Sequence, residues 1–151
     1  MKRILFVCTG NICRSPTAEG IARHVARARR LEDRFEFDSA GTYDYHAGEA
    51  PDSRARTAAK RRGYDLSALR ARQVETADFH RFDLILAMDR GHLTWLAHRC
   101  PPELRERLHL FLDFVPGHAG EEVLDPYYGG GAGFEHVLDL CEAAVDVLLK
   151  Q

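Results

Sequence analysis

Residues 3–16 read RILFVCTGNICRSP, and this stretch decides the fold of the chain. Residues 3–7 form an apolar run of strand length. Ser15-Pro16 is typical of a helix start, because serine caps helices and proline suits the first helical position. Since the intervening loop is short, the strand should lead directly into the helix. The stretch therefore predicts a strand–loop–helix unit at the start of the chain.

Strand and helix patterns alternate along the rest of the chain. Apolar and alternating runs predict three further strands, at residues 35–38, 83–87 and 108–114. Helical spacing predicts three further helices, at residues 52–62, 92–98 and 134–148. Four strands separated by helices favour an α/β fold with a four-stranded parallel sheet and helices on both faces. The loop after the first strand then lies at the edge of the sheet where such folds bind ligands.

Composition places the chain among ordinary globular domains. Its 151 residues are 45% hydrophobic and 29% charged, which suits a single domain spanning residues 1–151. A net charge of −2 gives no basic excess, so we expect no nucleic-acid partner. Residues 1–7 are too short for a signal-peptide core, and no apolar run approaches the ~20 residues of a membrane span. We therefore expect a cytoplasmic protein without membrane insertion.

The cysteines are spread along the chain without a CxxC pair, at Cys8, Cys13, Cys100 and Cys141. We expect thiols and not a disulfide framework, as is usual in a reducing compartment. The eight histidines are scattered, and none stands at ligand spacing from a cysteine pair. The sequence thus predicts no metal site and no cofactor.

The loop between the first strand and the first helix combines residues suited to binding and attacking a phosphate group. Cys8 is followed six residues later by Arg14, a spacing that is weak evidence for a phosphate site in an arginine-rich chain. The serine after Arg14 and the position of the loop between a strand and a helix make the signal specific. Helix-terminal N–H groups bind anions, and Arg14 supplies a planar fork for two phosphate oxygens. Gly10 permits a tight or left-handed bend, and Asn11 tolerates a positive φ. Cys8 would be the nucleophile, its thiolate stabilised by the helix N-terminus and by Ser15.

Residues 7–16, followed by Ala18-Glu19-Gly20, closely resemble the low-molecular-weight protein tyrosine phosphatases. The likeness covers nearly the whole chain, in order, through later motifs at residues 38–42, 71–74, 86–89 and 125–129. It implies an enzyme that hydrolyses phosphotyrosine through a phosphocysteine intermediate on Cys8, with Asp125 as general acid and then general base. On the sequence alone Asp125 is a loop aspartate before proline, so its role rests on the resemblance.

The same resemblance implies which residues surround the reacting centre. Besides Cys8 and Arg14, the phosphate-binding loop would comprise Thr9, Gly10, Asn11, Ile12, Cys13 and Ser15. The substrate pocket would be walled by Ile12, Tyr45, His46, Tyr127 and Tyr128. The loop would be braced by Asn11 and Ser39. The implied substrates are phosphotyrosine-containing proteins, among them a bacterial tyrosine kinase.

Two positions depart from the family pattern, and one cysteine suggests regulation. Leu69 stands where relatives often carry a histidine that supports the loop, so bracing should be arranged differently. Ser53 replaces a common proline, which should loosen a helix start without touching the chemistry. Cys13 lies close to Cys8 in one small loop, and we hypothesise that oxidation joins them reversibly and protects Cys8 from over-oxidation.

Three alternative functions compete with phosphotyrosine hydrolysis. Protein-arginine phosphatases share a similar loop but carry threonine at the position of Ile12, which gives a more polar pocket. Arsenate reductases on this scaffold relay a disulfide through additional cysteines after the middle of the chain, and none lies between Cys13 and Cys100. A silent phosphopeptide-binding module would need neither Cys8 nor Asp125. Ile12 and the paired tyrosines favour hydrolysis of an aryl ester.

Overall fold

The computed structural model describes residues 1–128 and 131–151, with the side chains of all of these except Tyr128 and Gly131. The strands are β1 Lys2–Cys8, β2 Phe35–Gly41, β3 Leu84–Ala87 and β4 Leu108–Leu110. The α-helices are α1 Arg14–Ala28, α2 Ser53–Arg61, α3 Thr76–Arg81, α4 Arg90–Arg99 and α5 Gly131–Leu148. Short 3-10 helices cover Pro102–Arg107, Phe111–Phe114 and Pro126–Tyr128.

The four strands form one parallel sheet in the order β2-β1-β3-β4. Alternate residues of β1 point to opposite faces. Ile4 and Phe6 pack into the cluster that holds α1 and α5, whereas Leu5 and Val7 pack against residues of α3 and α4. All four of these side chains are fully buried. The predicted α/β fold, with helices on both faces, is therefore confirmed.

The observed strands differ in length from the predicted ones because pairing decides where each strand ends. β2 extends three residues beyond the predicted end at Asp38, since its last residues pair with Phe6, Val7 and Cys8 of β1. β4 ends at Leu110, which pairs with the last residue of β3. Beyond that point the ladder has no partner strand, and the chain turns into a 3-10 helix. The prediction of a strand through residue 114 is therefore wrong.

The start of α1 also differs from the prediction. Its N-cap is Cys13 and its first residue is Arg14, so Ser15 lies inside the first turn. Ser15 is not the cap because its hydroxyl is bonded to Cys8 and Asn11 instead. Cys13 makes no side-chain capping bond. The N–H groups of the first turn therefore have no side-chain cap and are available to an anion.

The other helices follow sequence signals with small shifts. Asp52 caps α2 by accepting from the Arg54 amide, and Gly63 follows the helix with a φ of 90°. α4 begins two residues before the predicted start, because Asp89 caps it. The apolar stripe of α5 is buried as predicted: Phe134, Val137, Leu138, Cys141, Val145 and Leu148. The sequence does not predict α3, whose six residues are too short to display a helical period.

None of the helices in the described ranges is long and apolar enough to cross a membrane.

Candidate active site

A cavity of about 600 Å³ opens at the carboxyl end of β1. Three segments line it: the loop that carries Cys8 and Arg14, the segment after β2, and the segment around Asp125. Of the predicted pocket residues it includes Ile12, Tyr45, His46 and Tyr127. The side chain of Tyr128 lies outside the described part of the chain. Tyr43 and Asp44 also line the cavity, although the sequence did not single them out.

Asn11 fixes the shape of the loop. Within the loop, Asn11 adopts the left-handed backbone conformation, with a φ of 58°, which costs asparagine little. The side-chain oxygen Oδ1 of Asn11 accepts a hydrogen bond from the backbone amide of Arg72 at 3.0 Å, and this bond sets the orientation of the side-chain amide. The amide nitrogen then donates to Ser15 at 2.8 Å and to Ser39 at 2.9 Å. The structure thus brings the predicted bracing pair, Asn11 and Ser39, into contact.

The bracing network ends on a buried carboxylate. Ser39 donates to Glu19 Oε1 at 2.6 Å, and Arg23 donates to the other oxygen at 2.7 Å. Burial raises the pKa of Glu19, and the bonds from Ser39 and Arg23 oppose this effect. Leu69, at the position of the family's histidine, packs against the core instead. The loop is therefore braced through the Arg72 amide, Ser39 and Glu19.

The hydrogen bonds around Ser15 point a proton at the cysteine. Cys8 is 3% exposed, and its Sγ lies 2.9 Å from Ser15 Oγ. Because Asn11 donates to Ser15 Oγ, the serine keeps its own hydroxyl proton for another acceptor. A thiolate at Cys8 is the acceptor within reach, and a charged acceptor strengthens such a bond. The geometry suits an ionised sulfur.

Arg14 is held rigidly although it is charged and buried. Its Nη1 donates to Asp89 Oδ2 at 3.0 Å and to the Val123 carbonyl at 2.8 Å. Its Nη2 lies 3.4 Å from Thr9 Oγ1 and 3.6 Å from Asp125 Oδ2. Burial alone would raise the pKa of Asp89, but the His92 amide and the Arg14 guanidinium hold it below its ordinary value. Asp89 is therefore ionised and can pair with Arg14.

Asp125 lies at the mouth of the cavity with one oxygen fixed. Its Oδ1 accepts from the Tyr127 amide at 2.9 Å, which anchors the side chain at the start of a 3-10 helix. Its Oδ2 faces Arg14 across 3.6 Å. The side chain is about one third exposed, so solvent can exchange protons with it. A carboxyl group so placed can pass protons between solvent and a group bound at Arg14.

Gly10 does not use the left-handed conformation that the sequence allowed for it, and it leaves room for a neighbouring side chain. Its φ is outside the left-handed region, but a Cβ added there would come within 2.9 Å of His46 Cδ2. The His46 ring therefore packs directly on the loop, and its Nδ1 lies 3.1 Å from Glu49 Oε2. Across the cavity, Arg54 lies over the Tyr127 ring at 5.2 Å. These contacts hold the two sides of the pocket mouth.

All four cysteines are free, and two of them, Cys8 and Cys13, line the cavity. Burial and the neighbouring Asp52, Cys8 and Asp125 raise the pKa of the Cys13 thiol well above its usual value. Cys13 is therefore a neutral thiol beside the candidate nucleophile. Among residues 1–128 and 131–151, no group of three or more histidine, cysteine or acidic side chains could hold a metal ion.

Sequence reasoning assigned no role to Asp89, His92, Glu19 or Arg72, although all four contact the loop or its supports. Asp89 could have been found, because it comes two residues after a buried strand, and parallel strands place such residues at the ligand edge of the sheet. The others are joined to the loop by contacts that local sequence does not display.

Comparisons with known proteins agree with this architecture. The model of the family described as low molecular weight phosphotyrosine protein phosphatase matches residues 3–151. A low molecular weight protein-tyrosine-phosphatase of Streptomyces coelicolor is 43% identical, over 97% of this chain and 91% of its own length. A human low molecular weight phosphotyrosine protein phosphatase is 37% identical, over 99% of this chain and 95% of its own length. A crystal structure of an Entamoeba histolytica protein tyrosine phosphatase superposes with a TM-score of 0.94 and 41% sequence identity. The superposition covers 99% of this chain and 96% of the Entamoeba chain. The chain therefore belongs to the low molecular weight phosphotyrosine protein phosphatase family.

Proposed function

We propose that this phosphatase hydrolyses phosphotyrosine in proteins through a phosphocysteine intermediate on Cys8, with Asp125 as general acid and then base. One observation carries the proposal. Cys8, the fixed guanidinium of Arg14 and the carboxyl group of Asp125 line a single cavity. Binding of a phosphate needs only the arginine, whereas transfer and hydrolysis need a nucleophile and a proton carrier as well.

In the first step, the Cys8 thiolate attacks phosphorus opposite the tyrosyl oxygen. The S–P bond forms, the P–O bond to the tyrosine breaks, and the proton of Asp125 passes to the departing oxygen. Arg14 and the uncapped N–H groups of α1 hold the equatorial oxygens, where charge develops. The product is free tyrosine side chain and phosphorylated Cys8.

In the second step, water attacks the phosphorus of phosphocysteine. Asp125, now a carboxylate, takes a proton from the water as the new P–O bond forms and the S–P bond breaks. The leaving sulfur returns as a thiolate, which the Ser15 hydroxyl stabilises at 2.9 Å. Inorganic phosphate leaves, and Asp125 is again protonated for the next cycle. Neither step calls for a metal or a cofactor.

The pocket walls favour an aryl ester over the competing substrates. Ile12, Tyr45 and Tyr127 offer apolar and aromatic surface around the anion cradle. A Vibrio vulnificus relative, 29% identical with a TM-score of 0.84, has been crystallised with benzylphosphonate, an anion on a benzyl group. Cys100 and Cys141 are buried outside the described cavity, so neither is placed for a disulfide relay of the arsenate-reductase kind. By family membership the substrates are phosphotyrosine proteins, for which a bacterial tyrosine kinase is one candidate.

We expect phosphotyrosine peptides to be turned over at least ~10²-fold faster, as kcat/KM, than matched phosphoserine or phosphoarginine peptides. Initial rates on one peptide sequence carrying each phosphoresidue measure this, with arsenate reduction assayed in parallel. Ile12→Thr is the matched variant and should reduce the preference for phosphotyrosine over phosphoarginine. Comparable rates on phosphoarginine, or arsenate reduction coupled to thiol oxidation, would contradict the proposed substrate class.

We expect Cys13 to protect Cys8 from irreversible oxidation. Peroxide would oxidise the Cys8 thiolate to a sulfenic acid, and the Cys13 sulfur would then displace water to form a disulfide that dithiothreitol reduces. After a peroxide pulse, the parent enzyme should recover most of its activity in dithiothreitol, and Cys13→Ser should recover little. Cys100→Ser, which alters a buried cysteine on the opposite face of the sheet, is the control and should behave like the parent. Equal recovery in all three proteins would refute the protective role.

A further inference from the structure

His92 is a buried histidine that contacts the phosphate-binding loop but has no part in the proposed reaction. It lies on α4 and is 4% exposed. Its Nε2 is 2.7 Å from the hydroxyl oxygen of Thr9, the residue that follows Cys8. Its backbone amide donates to Asp89 Oδ1 at 3.0 Å. The ring is thus fixed between the loop and the carboxylate that holds Arg14.

The contacts of Thr9 and Asp89 favour one assignment of the His92 ring proton. Arg14 can only donate, so Thr9 Oγ1 accepts from Arg14 Nη2 across a long 3.4 Å bond. The Thr9 oxygen has a second lone pair and could also accept from Nε2–H, but Nδ1 would then turn its own lone pair toward Asp89 Oδ1, which is repulsive. The threonine hydroxyl therefore donates to His92 Nε2. The ring proton of neutral His92 is left on Nδ1, which lies 3.2 Å from Asp89 Oδ1. Nδ1 makes no well-directed hydrogen bond to any described residue, so this last contact is electrostatic in character.

His92 is neutral at neutral pH. Burial in the loop-facing side of α4 and the positive charge of Arg14 lower the pKa of His92 to about 4. Asp89, Asp125 and Glu122 act in the opposite direction but do not restore the ordinary value. A neutral ring with its proton on Nδ1 keeps an open lone pair on Nε2, as the bond from Thr9 requires.

The contact with Thr9 helps to decide which N–H groups of Arg14 remain available to bind phosphate. A guanidinium has five N–H groups. Both groups on Nη1 are used by Asp89 and the Val123 carbonyl, and one on Nη2 is used by Thr9. Nε bonds to none of the described residues, so Nε–H and the second Nη2–H remain. These two can meet two phosphate oxygens in a fork.

We propose that His92 is a positioning residue for phosphoryl transfer: by accepting the Thr9 hydroxyl proton, it aims the threonine oxygen at Arg14 and holds the guanidinium fork toward the phosphate. The inference rests on the proposed phosphate-binding role of Arg14. When Asp125 is protonated for the first step, its attraction for Nη2 weakens. The Thr9 oxygen then remains as the fixed partner of Nη2, so the orientation of the fork depends on the His92–Thr9 pair.

The test compares His92→Phe, His92→Gln and Thr9→Val, with p-nitrophenyl phosphate as substrate and inorganic phosphate as competitive inhibitor. We expect His92→Phe to lower kcat/KM ~10- to 10²-fold, since a misplaced binding group loses rate on this scale. The phosphate inhibition constant should rise in parallel. His92→Gln carries an acceptor of similar reach and should recover most of the loss. Because both residues act through one bond, His92→Phe/Thr9→Val should be no worse than the poorer single variant.

Two further variants distinguish misfolding of His92→Phe from a loss of the proposed positioning role. His98→Phe changes an exposed histidine on the same helix and should leave the kinetics and the midpoint of thermal unfolding unchanged. Thr9→Val keeps the test decisive if His92→Phe does not fold. Wild-type kinetics in Thr9→Val and His92→Phe would overturn the inference, as would additive losses in the double variant.

A spectroscopic measurement tests the proton assignment directly. The ¹⁵N chemical shifts of the His92 ring in the whole protein at pH 7 should report a neutral ring with its proton on Nδ1. A proton on Nε2 would overturn the proposed direction of the Thr9 bond. Arg14→Lys separates the proposed function from the role of His92. Full activity in Arg14→Lys would refute the proposed function, whereas a loss of activity there together with wild-type kinetics in His92→Phe would refute only the role of His92.

Discussion

Replacing Cys8 by serine should abolish turnover of phosphotyrosine peptides, with an expected loss of about 10⁴-fold or more. A thiolate is a strong nucleophile at neutral pH, whereas a serine hydroxyl must first lose its proton to a neighbouring base. Asp125 cannot act as that base in the first step, because it must then be protonated to serve the tyrosyl oxygen. Ser15 directs its own proton toward the sulfur and so cannot accept one there. The same geometry that stabilises a thiolate leaves a serine in its place unreactive.

Steady-state rates of Cys8→Ser measure this loss, and binding of inorganic phosphate by calorimetry is the internal control. Arg14 and the first turn of α1 are unchanged in the variant, so phosphate should still bind. Cys100→Ser serves as the matched control, since Cys100 packs on the opposite face of the sheet. Its activity should equal that of the parent.

Acid-quenched reactions with labelled substrate provide the complementary measurement. They should trap a phosphorylated thiol in the parent enzyme and none in Cys8→Ser. Substantial activity in Cys8→Ser, or a labelled residue other than Cys8, would require a different nucleophile and so refute the proposed mechanism.

Local sequence predicted the parts of the site that lie within one segment. The loop between β1 and α1 could be recognised because its strand, its anion-binding amides and its cysteine–arginine spacing are all encoded within residues 3–16. Asn11 was expected to tolerate a positive φ, and it does. Even here, neighbouring contacts corrected two details. Ser15 bonds to the sulfur and does not cap the helix, and Gly10 is not left-handed but lies against the His46 ring.

Contacts between distant segments explain what the sequence did not predict. Asp89 and His92 reach the loop from positions 75 and 83 residues away from their partners. The end of β3 places Asp89 at the ligand edge of the sheet, but nothing in the local sequence pairs it with Arg14 or pairs His92 with Thr9. The early end of β4 likewise follows from the shortness of its neighbour β3, which is a property of the assembled sheet. Local patterns therefore define elements, whereas the geometry that holds Arg14 depends on the tertiary arrangement.

The second large effect is expected at Asp125. Asp125→Ala should lower kcat on phosphotyrosine about 10²- to 10⁴-fold, because the tyrosyl oxygen, whose conjugate acid has a pKa of about 10, then departs without a proton. The reason lies in the site itself. Asp125 Oδ2 lies 3.6 Å from Arg14 Nη2, so the carboxyl group is beside the position where the phosphate is bound.

The dependence on the leaving group distinguishes proton donation from a structural effect. An ester of a strongly acidic phenol needs little help to depart, so its rate of phosphorylation of Cys8 should fall much less in Asp125→Ala than that of phosphotyrosine. Asp125→Asn retains the bond from the Tyr127 amide and should show the same pattern, which separates chemistry from loop position.

The second role proposed for Asp125, as base for the attacking water, predicts an independent kinetic signature. With the activated ester, phosphorylation of Cys8 remains fast in Asp125→Ala while hydrolysis of phosphocysteine becomes slow. A burst of phenolate equal to the enzyme concentration, followed by a slow steady rate, should therefore appear in stopped-flow measurements. Equal losses on good and poor leaving groups without a burst would show that Asp125 orients the pocket and transfers no proton. Since the two steps share one carboxyl group, a single substitution must slow both, and the leaving group alone decides which one limits the rate.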